Sequence, residues 1–141
     1  MQSTTPLGYV KDTGTAKGRG VFASRAISAG EVVEVAPTIV LTAPWRPLPV
    51  RLKHYAFAWG NMTKGPRAVA LAMGYGGMYN HANPANLRYE AITDGNYMRY
   101  IAVRDIAADE EMTINYNAGD GGATSTSDNW FKANGIEPMG D

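Results

Sequence analysis

Glycine and proline punctuate this chain too often for any long regular element to form. Among its 141 residues are 16 Gly and 8 Pro. The apolar runs between them are short and rich in Val and Ile, which suits strands joined by turns. Residues 20–27 (GVFASRAI) and 31–41 (EVVEVAPTIVL) read as strands. Pro37 has no N–H for a ladder, so it is expected to split the second run in two. LRYEAI, then Asp94-Gly95-Asn96, then YMRYIAVRDI reads as a β-hairpin, because an Asp-Gly step accepts the positive φ of a tight turn. Residues 111–117 (EMTINYN) read as one more strand.

Helices are few. Leu52, Tyr55, Ala56 and Trp59 fall at helical spacing, so residues 49–59 form the best helix candidate. Tyr55 and Trp59 would serve its apolar face, with a substrate role left open. Residues 128–136 (DNWFKANGI) fit a short C-terminal helix with Asp128 as N-cap and Gly135 just past the end. Before it, NAGDGGATSTS has the composition of a flexible linker. RAISAGEVVEV at 25–35 faintly echoes RDIAADEEMTI at 104–114, each a short turn feeding a strand. Such turns are common, and no duplication is inferred from them.

Composition excludes several classes. The 13 Lys and Arg balance the 13 Asp and Glu, so the chain lacks the broad basic field of a nucleic-acid binder, and no direct nucleic-acid partner is expected. Without cysteine there is no disulfide, thiolate metal site or Cys nucleophile. The two histidines, His54 and His81, have no carboxylate at a usual ligand spacing, so no metal is expected. No apolar stretch approaches the roughly 20 residues of a membrane span, and the N-terminus lacks the pattern of a secretory signal. The expectation is one soluble intracellular domain over residues 1–141.

Three segments carry chemistry. In KGRGVFAS (residues 17–24), Gly18 and Gly20 bracket Arg19 just before a strand, and glycine lets backbone approach a ligand closely. In YNHANPANL (residues 79–87), Asn80 offers a donor and an acceptor beside His81. DEEMTINYN (residues 109–117) is a strand ending near Tyr116. Each alone reads equally as a glycine turn, an Asx-turn or a core strand.

Together, in this order, the three resemble the SET domain, the family of protein-lysine methyltransferases that use S-adenosylmethionine. KGRGVFAS is similar to the family's Gly-x-Gly motif, YNHANPANL to its Asn-His-Ser-x-x-Pro-Asn motif, and DEEMTINY to its Gly-Glu-Glu-Leu-Thr-x-Asp-Tyr motif. The likeness runs from about Gly14 to Asn117, and the chain also resembles the compact stand-alone members of bacteria and some viruses. This chain departs in four places: Ala82 for Ser, Pro84 one position early with Ala85 before Asn86, Asp109 for Gly, and Asn115 for Asp.

The resemblance implies a β-clip fold of short sheets with a knot-like core, and methyl transfer from S-adenosylmethionine to a lysine amine of a histone-like or other protein. S-adenosylhomocysteine would be the product, and no metal would take part. Lys17, Gly18, Arg19 and Gly20 would close over the cofactor. Asn80 would bond its methionine moiety, and the His81 backbone its adenine. Tyr116 would be the central catalytic residue and touch the cofactor, with Tyr89 a second active-site tyrosine. Tyr79, Tyr89 and Ile114 would line the substrate channel. Ile114 stands where many members carry a Phe or Tyr that tunes how many methyl groups fit. Trp130 and Phe131, beyond the linker at about 118–141, would close the cofactor pocket. The resemblance leaves open a homodimer, a cytoplasmic or host-nuclear location, and the alternative of an idle module that binds S-adenosylmethionine or a protein partner without catalysis.

Overall fold

The computed structural model describes residues 1–118 and 120–126. The expected C-terminal helix, with Trp130 and Phe131, lies outside the described residues. Two curled sheets carry the architecture. The first orders its strands β1 (Gly8–Asp12), β2 (Arg19–Ala23), β9 (Glu111–Ile114), β6 (Asn80–His81). The second orders β4 (Ala56–Phe57), β5 (Val69–Ala72), β3 (Val32–Leu41), β8 (Tyr97–Ala102), β7 (Leu87–Ile92). All pairings are antiparallel except β6 with β9, which sets Asn80 beside Thr113 and His81 beside Ile114.

The hairpin forms as expected: β7 and β8 pair from Leu87↔Ala102 to Ile92↔Tyr97. Pro37 does not divide β3. The strand pairs with β8 through Pro37 and with β5 from Thr38 onward, so the residue without an N–H sits where one neighbour gives way to another. A bulge between Val32 and Glu34 breaks the alternation of faces, and Val33 to Ala36 are all buried.

The long helix expected over residues 49–59 is absent. Only α1 (Val50–Lys53) and α2 (Trp59–Thr63) form, with β4 between them. Neither has a side-chain cap. Ala56 and Phe57 instead pair with Leu71 and Ala70 of β5. An uncapped helix of three turns is marginal alone, and the open edge of β5 offers those residues a ladder. Among the described residues no helix is long and apolar enough to cross a membrane.

The core draws on both sheets: Val21, Met112 and Ile114 from the first, Val33, Leu87, Met98 and Tyr100 from the second. The faint sequence echo is a structural one. Ile27 and Ile106 exchange two backbone hydrogen bonds, each 2.8 Å. Around them the partners repeat: Gly30 N–H donates to Ala102 O and Asp109 N–H to Ala23 O, both 2.8 Å. Arg25 pairs with Glu31, and Arg104 with Glu110. Gly30 (φ +89°) and Asp109 (φ +67°) occupy equivalent left-handed positions. Asp tolerates that region better than most residues, so its replacement of the usual Gly leaves the turn intact. A local two-fold relation thus joins the two sheets through the buried isoleucines.

Ile27→Ala and Ile106→Ala are each expected to cost about 2–4 kcal/mol of stability in urea titration. Arg25→Ala, at an exposed ion pair, should leave the midpoint nearly unchanged. Equal effects from all three would show that the ion pairs, not the buried isoleucines, hold the junction.

Candidate active site

The loop from Tyr79 to Asn86 is positioned by three sets of bonds. The β6–β9 pairing is only two residues long, and Ala82 N–H extends it with a bond to Ile114 O at 3.0 Å. The Asn86 side chain then acts as another rung. Its Nδ2 donates to Glu111 O at 2.8 Å, and its Oδ1 accepts from Thr113 N–H at 2.8 Å. On its other flank the loop meets residues 121–125. Ala85 N–H donates to Ala123 O at 2.8 Å, Asn83 Nδ2 to Ser125 O at 3.0 Å, and Tyr89 N–H to Gly121 O at 2.9 Å. The stretch whose composition suggested a flexible linker is therefore tied down over residues 120–126. Polar side chains and glycines serve there as bonding partners and permit close packing.

Asn115, fully buried, completes this arrangement. Its Nδ2 donates to Ser125 Oγ at 3.2 Å and to Ala123 O at 3.4 Å, and its Oδ1 accepts from Asn117 N–H at 2.9 Å. An aspartate could not donate these bonds.

On one side of β6, Asn80 faces the glycine loop. Its Nδ2 donates to Arg19 O at 3.0 Å and to Glu111 Oε2 at 2.8 Å. Those two acceptors fix the amide's orientation. A Cβ on Gly20 would lie 2.5 Å from Glu111 Oε2 and 2.9 Å from Asn80 Nδ2, so any larger residue there would push those two side chains aside. Lys17 Nζ donates to the His81 carbonyl at 3.2 Å. The structure thus brings Lys17, Arg19, Gly20, Asn80 and His81 together, with Gly18 (φ +75°) at the bend.

On the other side lies a cleft of about 740 Å³. Tyr79, Tyr89, Ile114 and Tyr116 line it from the core, and Trp45, Tyr55, Phe57 and Met62 from the segment between β3 and β5. Tyr55, expected on a helix face, is 49% exposed and lines the cleft, whereas Trp59 is buried in the core.

Tyr116 connects the two sides. Its N–H donates to His81 Nδ1 at 3.1 Å and its hydroxyl to Tyr79 O at 2.9 Å. Tyr89 donates to Asn115 O at 3.1 Å. Burial, then the neighbouring Tyr89, pushes the Tyr116 phenol up, and burial does the same to Tyr89. Both stay protonated near neutral pH and act as donors.

Sequence reasoning missed Glu34. It is 1% exposed, with Oε1 accepting from Tyr79 O–H at 2.7 Å and Oε2 from Tyr75 N–H at 3.0 Å. It holds the ring of the residue whose carbonyl receives the Tyr116 hydroxyl. An acid inside the apolar run VVEVA was the available signal, since a lone carboxylate there must find donors. Among the described residues no group of three or more His, Asp or Glu could hold a metal.

A mainly β chain whose Asn-His strand runs parallel to a strand followed, two residues on, by a partly buried tyrosine defines a narrow class. The SET domain pattern matches residues 18–117, and the chain belongs to the SET-domain family. The Schizosaccharomyces pombe histone-lysine N-methyltransferase specific for H3 lysine-37 is 31% identical over 110 residues, spanning 76% of this chain and 71% of that one. The crystal structure of a Plasmodium falciparum protein assigned as a histone methyltransferase aligns with a TM-score of 0.63 at 26% identity, over 82% of this chain and 96% of that chain. A humanized mutant of the Chaetomium thermophilum Polycomb Repressive Complex 2 aligns with a TM-score of 0.62 at 19% identity, over 82% of this chain and 15% of that chain, and shares the fold alone.

Burial raises the Glu34 carboxyl above its ordinary 4.5, and its two hydrogen bonds offset this only in part. The folded protein therefore keeps that proton over a window where the unfolded chain has lost it. Stability from this residue is full below 4.5 and declines as pH rises through the raised value. Relative to Glu34→Gln, which cannot ionise, the wild type should lose stability from acid to neutral pH in urea midpoints. Parallel curves would show that Glu34 ionises normally.

Proposed function

We propose that this protein transfers a methyl group from S-adenosylmethionine to the side-chain amine of a lysine in a protein substrate. The observation that carries this reading is the position of Tyr116. It is bonded on one side to His81 and on the other to the wall of the cleft. The substrate would be a histone-like or other protein, by likeness to the histone-lysine methyltransferase of fission yeast.

The residues beside the glycine loop fit an amino-acid zwitterion. The Lys17 ammonium suits a carboxylate, and Asn80 Oδ1 with the Glu111 carboxylate suits an α-ammonium. The clearance at Gly20 brings the Arg19–Gly20 backbone against those groups. S-adenosylmethionine, when bound, supplies an electrophilic sulfonium methyl and leaves as the neutral thioether S-adenosylhomocysteine. The target lysine enters from the cleft, and its neutral amine provides the attacking electron pair. Tyr116 and Tyr89 do not remove the amine's proton, because both phenols are raised. Apolar walls and neighbouring positive charge favour the neutral amine instead. Tyr116, held by two bonds, aligns the amine in line with the methyl, so positioning supplies most of the rate. Ile114 lines the cleft at the position where many family members carry a Phe or Tyr.

Tyr116→Phe is expected to bind S-adenosylmethionine normally and to lose on the order of 10²-fold in turnover, the scale of a small misplacement of reacting groups. Mass spectrometry of lysine-rich proteins and cell lysate incubated with labelled cofactor reads the transfer. Wild-type rates in the variant, with normal binding, would remove Tyr116 from this role. Asn80→Ala should weaken cofactor binding by about tenfold, the loss of one charge-assisted bond. Calorimetry that shows unchanged affinity would place the cofactor elsewhere.

A further inference from the structure

Net charge hides a segregation. Between Glu34 and Glu90 there is no Asp or Glu, but there are Arg46, Arg51, Lys53, Lys64, Arg67 and Arg88. Of 13 Lys and Arg in all, these six leave seven against 13 acids in the rest of the chain. The acid-free stretch supplies most of the cleft lining, and Arg46, Lys53 and Arg67 all face the cleft. No carboxylate lines it among the described residues. Arg46 and Arg67 form no ion pair among the described residues. Lys53 is 8% exposed, and its Nζ donates to Arg46 O at 3.1 Å. That bond uses one of its three donors.

A cationic cleft repels a lysine that sits among other basic residues. It attracts one flanked by carboxylates, which offset the repulsion and speed encounter. The positive groups also disfavour the ammonium form of the incoming lysine, which the transfer requires. Building on the methyl-transfer reading, we propose that the cleft selects lysines flanked by Asp or Glu, with Arg46, Lys53 and Arg67 as the specificity-determining cations. The geometry favours a peptide over a nucleic acid. The cations line a concave site together with Trp45, Tyr55, Phe57, Met62 and three tyrosines. A phosphate backbone instead needs an extended basic track.

The test uses labelled peptides with one central lysine flanked by Glu, by Ala or by Arg, with binding read by fluorescence anisotropy and transfer by mass spectrometry. The Glu-flanked peptide should bind about tenfold more tightly than the Arg-flanked one, the sum expected of exposed ion pairs to Arg46 and Arg67. Its KM should fall in the same ratio, and added salt should erase the difference. Arg67→Glu should narrow or reverse the preference while cofactor affinity, measured by calorimetry, stays normal and reports an intact fold. Equal binding of the three peptides, or tighter binding of the Arg-flanked one, would overturn the proposal. Displacement of the Glu-flanked peptide by short duplex DNA at lower concentration would overturn it in favour of a phosphate-binding face. Preferred binding of the Glu-flanked peptide with no transfer to any lysine would refute the methyl-transfer reading and leave the charge selection standing.

Discussion

A parallel pairing of two residues, Asn80–His81 against Thr113–Ile114, is the constraint from which the site follows. Parallel strands need a long connection, here the whole β7–β8 hairpin, and two rungs alone hold little. The Asn86 side chain and Ala82 N–H lengthen the ladder with bonds to β9. Successive side chains on a strand point to opposite faces. Asn80 therefore meets Gly20 and Glu111, while His81 turns its ring to the Tyr116 amide. One short strand serves two faces, and Tyr116 lies where they meet.

A second constraint runs through aromatic rings. Tyr79 and Tyr100 lie 4.8 Å apart between centroids, Tyr100 and Tyr89 6.3 Å, and Tyr89 and Phe57 5.5 Å. Glu34 anchors one end of this row and β4 the other. Because Phe57 pairs with Ala70 on a sheet edge, the segment that forms the outer wall of the cleft is registered to the residues that form its floor. Every phenol in the row is pushed toward its neutral form by burial. The row contributes shape and donated hydrogen bonds, not proton transfer, and that suits the proposed methyl transfer, whose main demand is alignment.

Much of this was legible in the sequence. Strands β2, β3 and β9, the Asp-Gly hairpin of β7 and β8 and the three motifs rest on local chemistry that reads directly from residues, whereas β1 and β5 went unread. What failed to read depends on partners distant in the chain. Ala56 and Phe57 look helical by spacing until β5 offers them an edge. Pro37 looks like a breaker until β3 changes neighbours beside it. Glu34 looks like one more strand acid until the Tyr79 hydroxyl meets it 45 residues away. The neutral total concealed a cationic cleft because net charge carries no information about place.

Two of the departures from the family pattern, at residues 84–85 and at Asn115, are coupled. With proline at position 84, Ala85 keeps an N–H, and that N–H bonds the Ala123 carbonyl. A proline at 85 would have none to give. Asn115, in place of Asp, donates to the same carbonyl and to Ser125 Oγ. Asn83 bonds Ser125 from the other side of the crossing. Three of these groups sit on two strand connections far apart in sequence, and all converge on residues 123–125. Buried polar groups without partners would each cost roughly 1–3 kcal/mol. No such orphan side chain is present among the described residues. The altered positions 84–85 and 115, with Asn83, form one clasp on residues 123–125 beside the Asn80–His81 strand and Tyr116.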